Sequence, residues 1–597
     1  MGQVDLDCLL QAYNKLHGLL CDYDQEQRLI DQIYQSLQEA VDELPEGAVI
    51  GFRPYGDQTD WMIRNFDFSH VRVAGIFDKN VYSKSSQGVA VYEMSEHRAL
   101  DVDIYIMTSF NWRDEITSEL KAEGHCVFDI YEKLEQRGFK LSASPEKFEK
   151  GSHVILNKYR NEWKKAGGNK KEEALRKLMT AACEAKDFYM LKELCREWSA
   201  VYGWVKRVEE QYKEFYALLR NLMGKRTQRD IIVYWLDAVP YKWRGFFKGL
   251  QELSETGHCF HQAYTCTPYT HQSLRAIFSG LLPLNDCEAS LEKIGNKNSE
   301  LIQYLEEKNY KVLHIGHDAP VYEECCIQKD YSVNTSKEAS CNAVLWRALC
   351  EIAASDVPVF LIAHFVVETH PPMICAELEQ LNYVVEEDNY LPQFRIASNY
   401  IDKRVMYCHA LMSGKACVQI FMSDHGEHTT NQFPDRYWGQ HRLHACCFVV
   451  GREIQAKKES RIFSYTKFKE FIKWLVEPER NAYEDCLSEY AVFQDTDIYS
   501  EFLANRFINR GKAQQALAYR GALDGVYKYV MNAVEQKFFY QIIDDRDVEV
   551  RREEAPDSFE RLERIAGTDF PDLSIFEKFR FVPRIYEAAR KEVQEQE

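Results

Sequence analysis

The segment RDIIVYWLDAV constrains the fold more than any other stretch of this chain. Five apolar residues run without interruption from Ile231 to Trp235. A strand with one face in water alternates apolar and polar residues, so this one reads as covered on both faces, like a strand inside a parallel α/β sheet. No run of 18 or more apolar residues occurs in the sequence, so stable membrane insertion is not expected. Asp237 follows the strand directly, and the carboxyl end of a parallel strand is where open α/β sheets present ligand-binding groups. Taken alone, such an acid caps a strand end as often as it binds a metal.

At 597 residues the chain exceeds what one hydrophobic core organises, and about two to four domains are expected. Residues 1–45 carry Leu9, Leu10, Tyr13, Leu16 and Leu20 at helical spacing with no breaker before Pro45, which predicts an N-terminal helical segment. Over 46–149 the pattern changes to short apolar runs, AVIGF, VRVAGIFD, VDIYIMTS and HCVFDIY, separated by helix-like stretches in the rhythm of βαβ units. Residues 150–227 are rich in Lys, Glu, Leu and Ala with helical periodicity and read as a helical connector. Residues 228–570 return to buried strands and are expected to carry the chemistry. Residues 571–597 read as a helical tail.

A net charge of -19 disfavours general adhesion to nucleic acid or anionic lipid, while 74 Lys and Arg leave material for a local pocket that takes one small anionic ester. The start, MGQVDLDCLLQAYNKLHGLL, has acids where a secretory signal carries positive charge, and Leu6 where myristoylation wants Ser or Thr. The expectation is a soluble, cytoplasmic protein. Its 18 cysteines form no CxxC pair and are expected to be reduced, buried apolar residues.

Two further segments join Asp237. In AYTCTPYTHQSLRAIFSGLLP, Thr270 opens a helix whose apolar face is Leu274, Ile277 and Phe278 and which ends at Gly280. A hydroxyl there faces unpaired backbone N–H groups and the positive end of the helix dipole, which stabilise an alkoxide and a transferred anion. The alternative is a plain N-cap. In VQIFMSDHGEH another buried strand delivers Asp424 and His425, and adjacent Asp and His are suitable ligands for a divalent metal. Arg275 reads as a solvated helix residue and His364 as the end of a buried strand.

The blocks DIIVYWLDAV, TPYTHQSLRAIFSGLLP and IFMSDHGE resemble the signature segments of the sulfatase-like branch of the alkaline phosphatase superfamily. The resemblance implies a mixed sheet sandwiched by helices, with Asp237, Thr270, Asp424 and His425 sharing a divalent metal, zinc or manganese favoured over calcium, and Thr270 as nucleophile. It further implies His370, His317 and one of His441 and His444 as substrate or second-metal groups. Sulfatases need C/S-x-P-x-R, whereas Thr270 is followed by His-Gln-Ser-Leu and Cys266-Thr-Pro-Tyr-Thr270 lies four positions early. A threonine nucleophile is instead similar to phosphoethanolamine and phosphoglycerol transferases. The expectation is therefore a phosphotransferase or phosphoesterase, with a sulfatase or phosphonate monoester hydrolase, or a non-catalytic scaffold, as alternatives. VRVAGIFDKN, GVAVY and DVDIYIMTSFNWRDEITSEL resemble a small Rossmann-like module attached to bacterial transferases; in nucleotide-binding versions Gly51, Gly56 and Asp78 would face a nucleotide or sugar, but the turn is not GxGxxG and tight turns and strand-end caps use the same residues, so a structural or partner-docking role is the favoured alternative.

Overall fold

The computed structural model describes residues 2–21, 23–79, 85–86, 88–109, 112–139, 151–168, 170–226, 228–287, 292–316, 327–328, 331–334, 340–369, 373–379, 387–412, 416–426, 438–495, 508–509, 511, 513–571, 573 and 581–596. The chain forms two compact units, Cys21–Lys147, and Met1–Leu20 together with Phe148–Glu597. None of the described helices is long and apolar enough to cross a membrane.

The smaller unit is an α/β layer. Its strands are β1 (Val49–Arg53), β2 (Arg72–Asp78), β3 (Ser85–Ser86), β4 (Val89–Glu93), β5 (Ile104–Met107) and β6 (Cys126–Asp129). They lie in the order β3-β4-β2-β1-β5-β6, and every pairing except β3 with β4 is parallel. Ile50, Phe52, Ile76, Phe77, Tyr105 and Ile106 form the centre of its core. The expected βαβ rhythm is thus realised as a parallel sheet.

The larger unit is built on an eight-stranded mixed sheet of β7 (Ile231–Leu236), β8 (His258–Tyr264), β9 (Lys311–Gly316), β10 (Ser332–Asn334), β11 (Val359–Phe365), β12 (Val418–Ser423), β13 (His444–Val450) and β14 (Lys457–Ser464). The order is β10-β9-β11-β7-β12-β13-β8-β14. The strands from β10 to β12 run parallel, so their carboxyl ends open on one edge. All six residues of β7 are buried, as its unbroken apolar run requires.

Alternation along β7 divides two cores. Ile232, Tyr234 and Leu236 face a layer that includes Leu175, Leu191, Phe215 and Phe394, so the helices read from sequence as a connector cover one face of the central sheet. Ile231, Val233 and Trp235 face Leu274, Ile277, Leu301 and Phe471 on the other. Tyr234, Phe421 and Phe448 stack across β7, β12 and β13 with successive centroids 4.7 Å apart. Truncating a buried ring such as Phe421 to alanine costs about 3–5 kcal/mol, because close-packed neighbours relax only partly into the cavity. The remaining strands, β15 (Ala491–Asp495), β16 (Tyr519–Leu523), β17 (Tyr527–Asn532), β18 (Lys537–Ile543) and β19 (Arg546–Glu549), form an antiparallel meander.

One buried histidine gives the fold an acid limb. His258 Nε2 lies 2.6 Å from the Tyr483 hydroxyl, and burial, helped by Lys457, pulls the imidazole down from 6.5 to about 4. The unfolded chain therefore binds more protons than the folded one between those values, so stability is full above about pH 6.5 and falls as pH drops toward 4. The melting temperature is expected to fall between pH 7 and pH 5, and His258→Gln to flatten part of that slope. An unchanged slope in the variant would contradict this assignment.

Candidate active site

The parallel strands bring sequence-distant polar groups to one edge. Leu236 of β7 pairs with Phe365 of β11 and with Ser423 of β12, so Asp237 and Asp424 emerge side by side. The Asp237 amide donates to the Phe365 carbonyl at 3.1 Å. Next, Ala238 takes a left-handed φ of 57°, a costly conformation for a residue with a Cβ, and turns the chain sharply. Its amide donates to Asp424 Oδ1 at 2.9 Å, and the His425 amide donates to the same oxygen at 2.8 Å.

Thr270 arrives after β8, which is separated from β12 in the sheet by β13. It is the first residue of the helix Thr270–Ser279, whose N-cap Tyr269 makes no side-chain capping bond and whose C-cap Gly280 is left-handed at φ 70°. Buried polar residues fix the preceding turn: Thr265 and Ser273 hydroxyls lie 2.8 Å apart, Ser273 Oγ donates to the Asp424 carbonyl at 3.2 Å, and Arg442 donates to the Pro268 carbonyl at 3.1 Å. The Thr270 hydroxyl donates to Asp237 Oδ2 at 3.0 Å and lies 3.2 Å from His425 Nε2. It thus points into the strand-end cluster rather than capping its own helix.

Asp237, Asp424 and His425 each present a ligand atom within 4.8 Å of the others. Both carboxylates are buried, Asp424 completely. Burial, together with the Asp237 charge, pushes the Asp424 carboxyl above its ordinary range. Its Oδ2 receives no hydrogen bond and lies 3.4 Å from His425 Nε2, while His425 Nδ1 is turned to the Gly426 carbonyl at 2.9 Å. Two converging buried carboxylates, one oxygen lacking a donor and an imidazole nitrogen aimed at the same point fit a divalent cation, which removes the penalty of leaving two like charges together in a low-dielectric site.

Two histidines extend the cluster. His364 Nε2 lies 2.9 Å from Asp237 Oδ2; a carboxylate only accepts, so that nitrogen carries the hydrogen. His364 Nδ1 faces His314 Nε2 at 3.2 Å, and both rings are buried. From sequence His364 reads only as a strand end, and His314 does not stand out. The available signal was a histidine near the carboxyl end of each of two apolar strands, but the link to Asp237 appears only once β11 is paired with β7.

The other sequence-derived candidates are distributed differently. His317 and His370 lie outside the described residues. His441 is buried, and burial reinforced by Arg442 and Lys528 pulls its imidazole down to about 3, which keeps the ring neutral. His444 Nδ1 faces Asp545 Oδ1 at 2.6 Å and Nε2 faces the His261 carbonyl at 2.9 Å, with Tyr241 stacked on the ring at 4.0 Å; both nitrogens are thus engaged away from Thr270. Arg275, expected in solvent, is 5% exposed, because its helix is packed on more than its apolar stripe. Among the described residues all cysteines are free and most are buried. In the smaller unit, Asp78 Oδ2 accepts from the Tyr55 amide at 2.8 Å, closing the turn after β1. A Cβ on Gly51 would meet the Phe77 ring at 2.8 Å, whereas one on Gly56 would meet nothing within 4 Å.

Gly426 has no such room. A Cβ there would fall 1.8 Å from the His441 carbonyl oxygen, while the Gly426 amide donates to the Arg442 carbonyl at 2.9 Å. Gly426→Ala is expected to destabilise the protein by about 1–3 kcal/mol and to weaken metal binding by displacing His425. Thermal melts and a metal titration test this; a variant matching the parent in both would contradict it.

Several solved structures are similar at low identity. A protein in the alkaline phosphatase superfamily from Vibrio parahaemolyticus is 14% identical, with 62% of this chain and 97% of that one covered and a TM-score of 0.41. The phosphonate monoester hydrolase from Silicibacter pomeroyi is 11% identical, with 57% and 94% covered and a TM-score of 0.40. No curated protein matches the sequence. Residues 237–459, the stretch containing Asp237, Thr270, His314, His364, Asp424 and His425, match the family model described as Sulfatase.

Proposed function

We propose that this protein is a metal-dependent phosphotransferase or phosphoesterase that acts through Thr270 on a soluble phosphoester or a glycan or lipid precursor. The observation that carries the reading is the position of the Thr270 hydroxyl between Asp237 Oδ2 and His425 Nε2, within a buried set suited to a divalent cation. A nitrogen and carboxylate donor set favours zinc or manganese, with calcium as the third choice. When bound by Asp237, Asp424 and His425 next to Thr270, the cation supplies positive charge that favours the threonine alkoxide and balances the anionic ester.

The protein's own groups account for the remaining steps. Asp237 orients the Thr270 hydroxyl through its hydrogen bond, and His364 in turn holds Asp237. Thr270 Oγ forms a bond to phosphorus as the leaving alcohol departs and takes up a proton. Water or an acceptor alcohol then forms the next bond to phosphorus, the bond to Thr270 breaks, and the hydroxyl is restored. Preorganised groups at the strand ends supply most of the catalysis, since this chemistry rests on positioning and charge.

A sulfatase or phosphonate monoester hydrolase is the second reading, favoured by the Sulfatase model match. The cysteine nearest to Thr270 in sequence, Cys266, is fully buried, which opposes its contact with a substrate. The test is hydrolysis of chromogenic phosphate monoester, phosphate diester, phosphonate and sulfate substrates by metal-stripped protein resupplied with zinc, manganese or calcium. Metal-dependent phosphoester turnover supports the proposal. Preference for the sulfate substrate would replace it with the second reading, and silence with every metal would count against catalysis on these classes.

A further inference from the structure

Three side chains of the helix Gly151–Lys165, upstream of the segment that matches the Sulfatase model, reach the loop that follows β11. His153, Asn157 and Arg160 are spaced i, i+4 and i+7 and share one helix face. His153 Nε2 lies 2.6 Å from Glu368 Oε1, and both side chains are completely buried. The same carboxylate oxygen accepts from the Cys341 amide at 2.8 Å. Farther along, Asn157 donates to the Ala376 and Leu378 carbonyls at 3.2 and 2.6 Å, and Arg160 donates to the Glu377 carbonyl at 3.1 Å. One helix face therefore grips both 366–369 and 373–378, and the Ile374 amide ties these two stretches together by donating to the Val367 carbonyl at 3.1 Å.

The gripped segment leads to Asp237. The Thr369 hydroxyl donates to the Phe365 carbonyl at 3.0 Å, and the Asp237 amide donates to that same oxygen at 3.1 Å. His364, one residue before Phe365, holds Asp237 Oδ2. A buried His–Glu pair is a weak source of net stability, because desolvation offsets the attraction, but it is strongly directional.

We propose that His153, Asn157 and Arg160 are positioning residues of the active site, holding residues 366–369 and 373–378 so that β11 fixes Asp237 for metal binding and catalysis. This rests on the reading of Asp237 as a metal ligand beside Thr270. The helical layer is then part of the catalytic apparatus as well as a cover for the sheet.

The test uses the full-length protein with His153→Ala, His153→Gln and Asn157→Ala. Zinc affinity is measured by competition with a chromogenic chelator, kcat and KM on the phosphoester turned over by the parent, and stability by thermal melting. His153→Ala is expected to weaken zinc binding or lower kcat roughly 10- to 100-fold, the range for groups that orient a metal ligand, with KM changed much less. His153→Gln, which keeps a donor toward Glu368, is expected to recover part of the loss, and Asn157→Ala to show a smaller loss of the same kind. Unchanged zinc affinity and kcat in both alanine variants, even with lowered melting temperatures, would reduce the helix to a structural role and overturn the proposal. If the parent binds zinc but turns over no ester, the catalytic reading fails, and the zinc affinities of the variants still decide the role of the helix.

Discussion

Thr270→Ala is expected to lower phosphoester turnover by at least roughly a thousandfold, the scale seen when a covalent nucleophile is removed. The hydroxyl meets both Asp237 and His425 and opens the helix Thr270–Ser279. Alanine removes the attacking oxygen, keeps the helix start and leaves the two carboxylates and the imidazole in place. Metal affinity should therefore fall much less than turnover. Thr270→Ser, which keeps the oxygen, should retain a measurable fraction of the activity. Steady-state kinetics with the metal at saturation check both variants. Parental turnover in Thr270→Ala would remove Thr270 from the nucleophile's role.

Asp424→Asn is expected to split metal binding from fold stability. Asparagine can still accept the two backbone hydrogen bonds that Asp424 Oδ1 takes from Ala238 and His425, so the turn after β12 should survive. What disappears is a completely buried charge that burial and Asp237 already oppose. The metal-free variant should therefore melt at or above the metal-free parent, because removing a buried charge held beside Asp237 relieves repulsion and desolvation. Ligand-linked stabilisation is about 2.7 kcal/mol at a metal concentration 100 times Kd, and the variant should lose most of that gain. Differential scanning calorimetry with and without zinc measures both effects. A metal-free variant much less stable than the parent, or one with a full zinc-dependent gain, would contradict the assignment.

The fold was legible where local pattern and tertiary position coincide. The unbroken apolar run of β7 required burial on both faces, β12 is apolar but for Gln419 and Ser423, and the polar residues just past their ends fell at the open edge of the sheet, so the positions of Asp237, Asp424 and His425 were readable from sequence. Thr270 was readable as the opening residue of a helix, although its direction was not. The sequence expectation failed at Arg275 because amphipathic spacing identifies the most apolar stripe of a helix, whereas here the flanks are covered too.

His364 was passed over for a different reason. A histidine inside an apolar run is compatible with a satisfied core residue, and its partner Asp237 is 127 positions away in sequence. Only the β11–β7 register makes them neighbours. The helices over 150–227 posed a similar problem, since an amphipathic pattern does not say which surface the apolar stripe will meet. His153 showed no sign of its role until Glu368 was in contact. These groups act through long-range pairings, which composition and periodicity do not encode.

Catalysis through Thr270 requires a transient ester bond at its hydroxyl. Metal-loaded protein is mixed with the phosphoester that it turns over, quenched in acid during turnover, digested and analysed by peptide mass spectrometry. A phosphoryl ester on the peptide containing Thr270, present with metal and absent both without it and in Thr270→Ala, is the predicted result. Turnover that continues in Thr270→Ala, with no modification of that peptide in the parent, would contradict it.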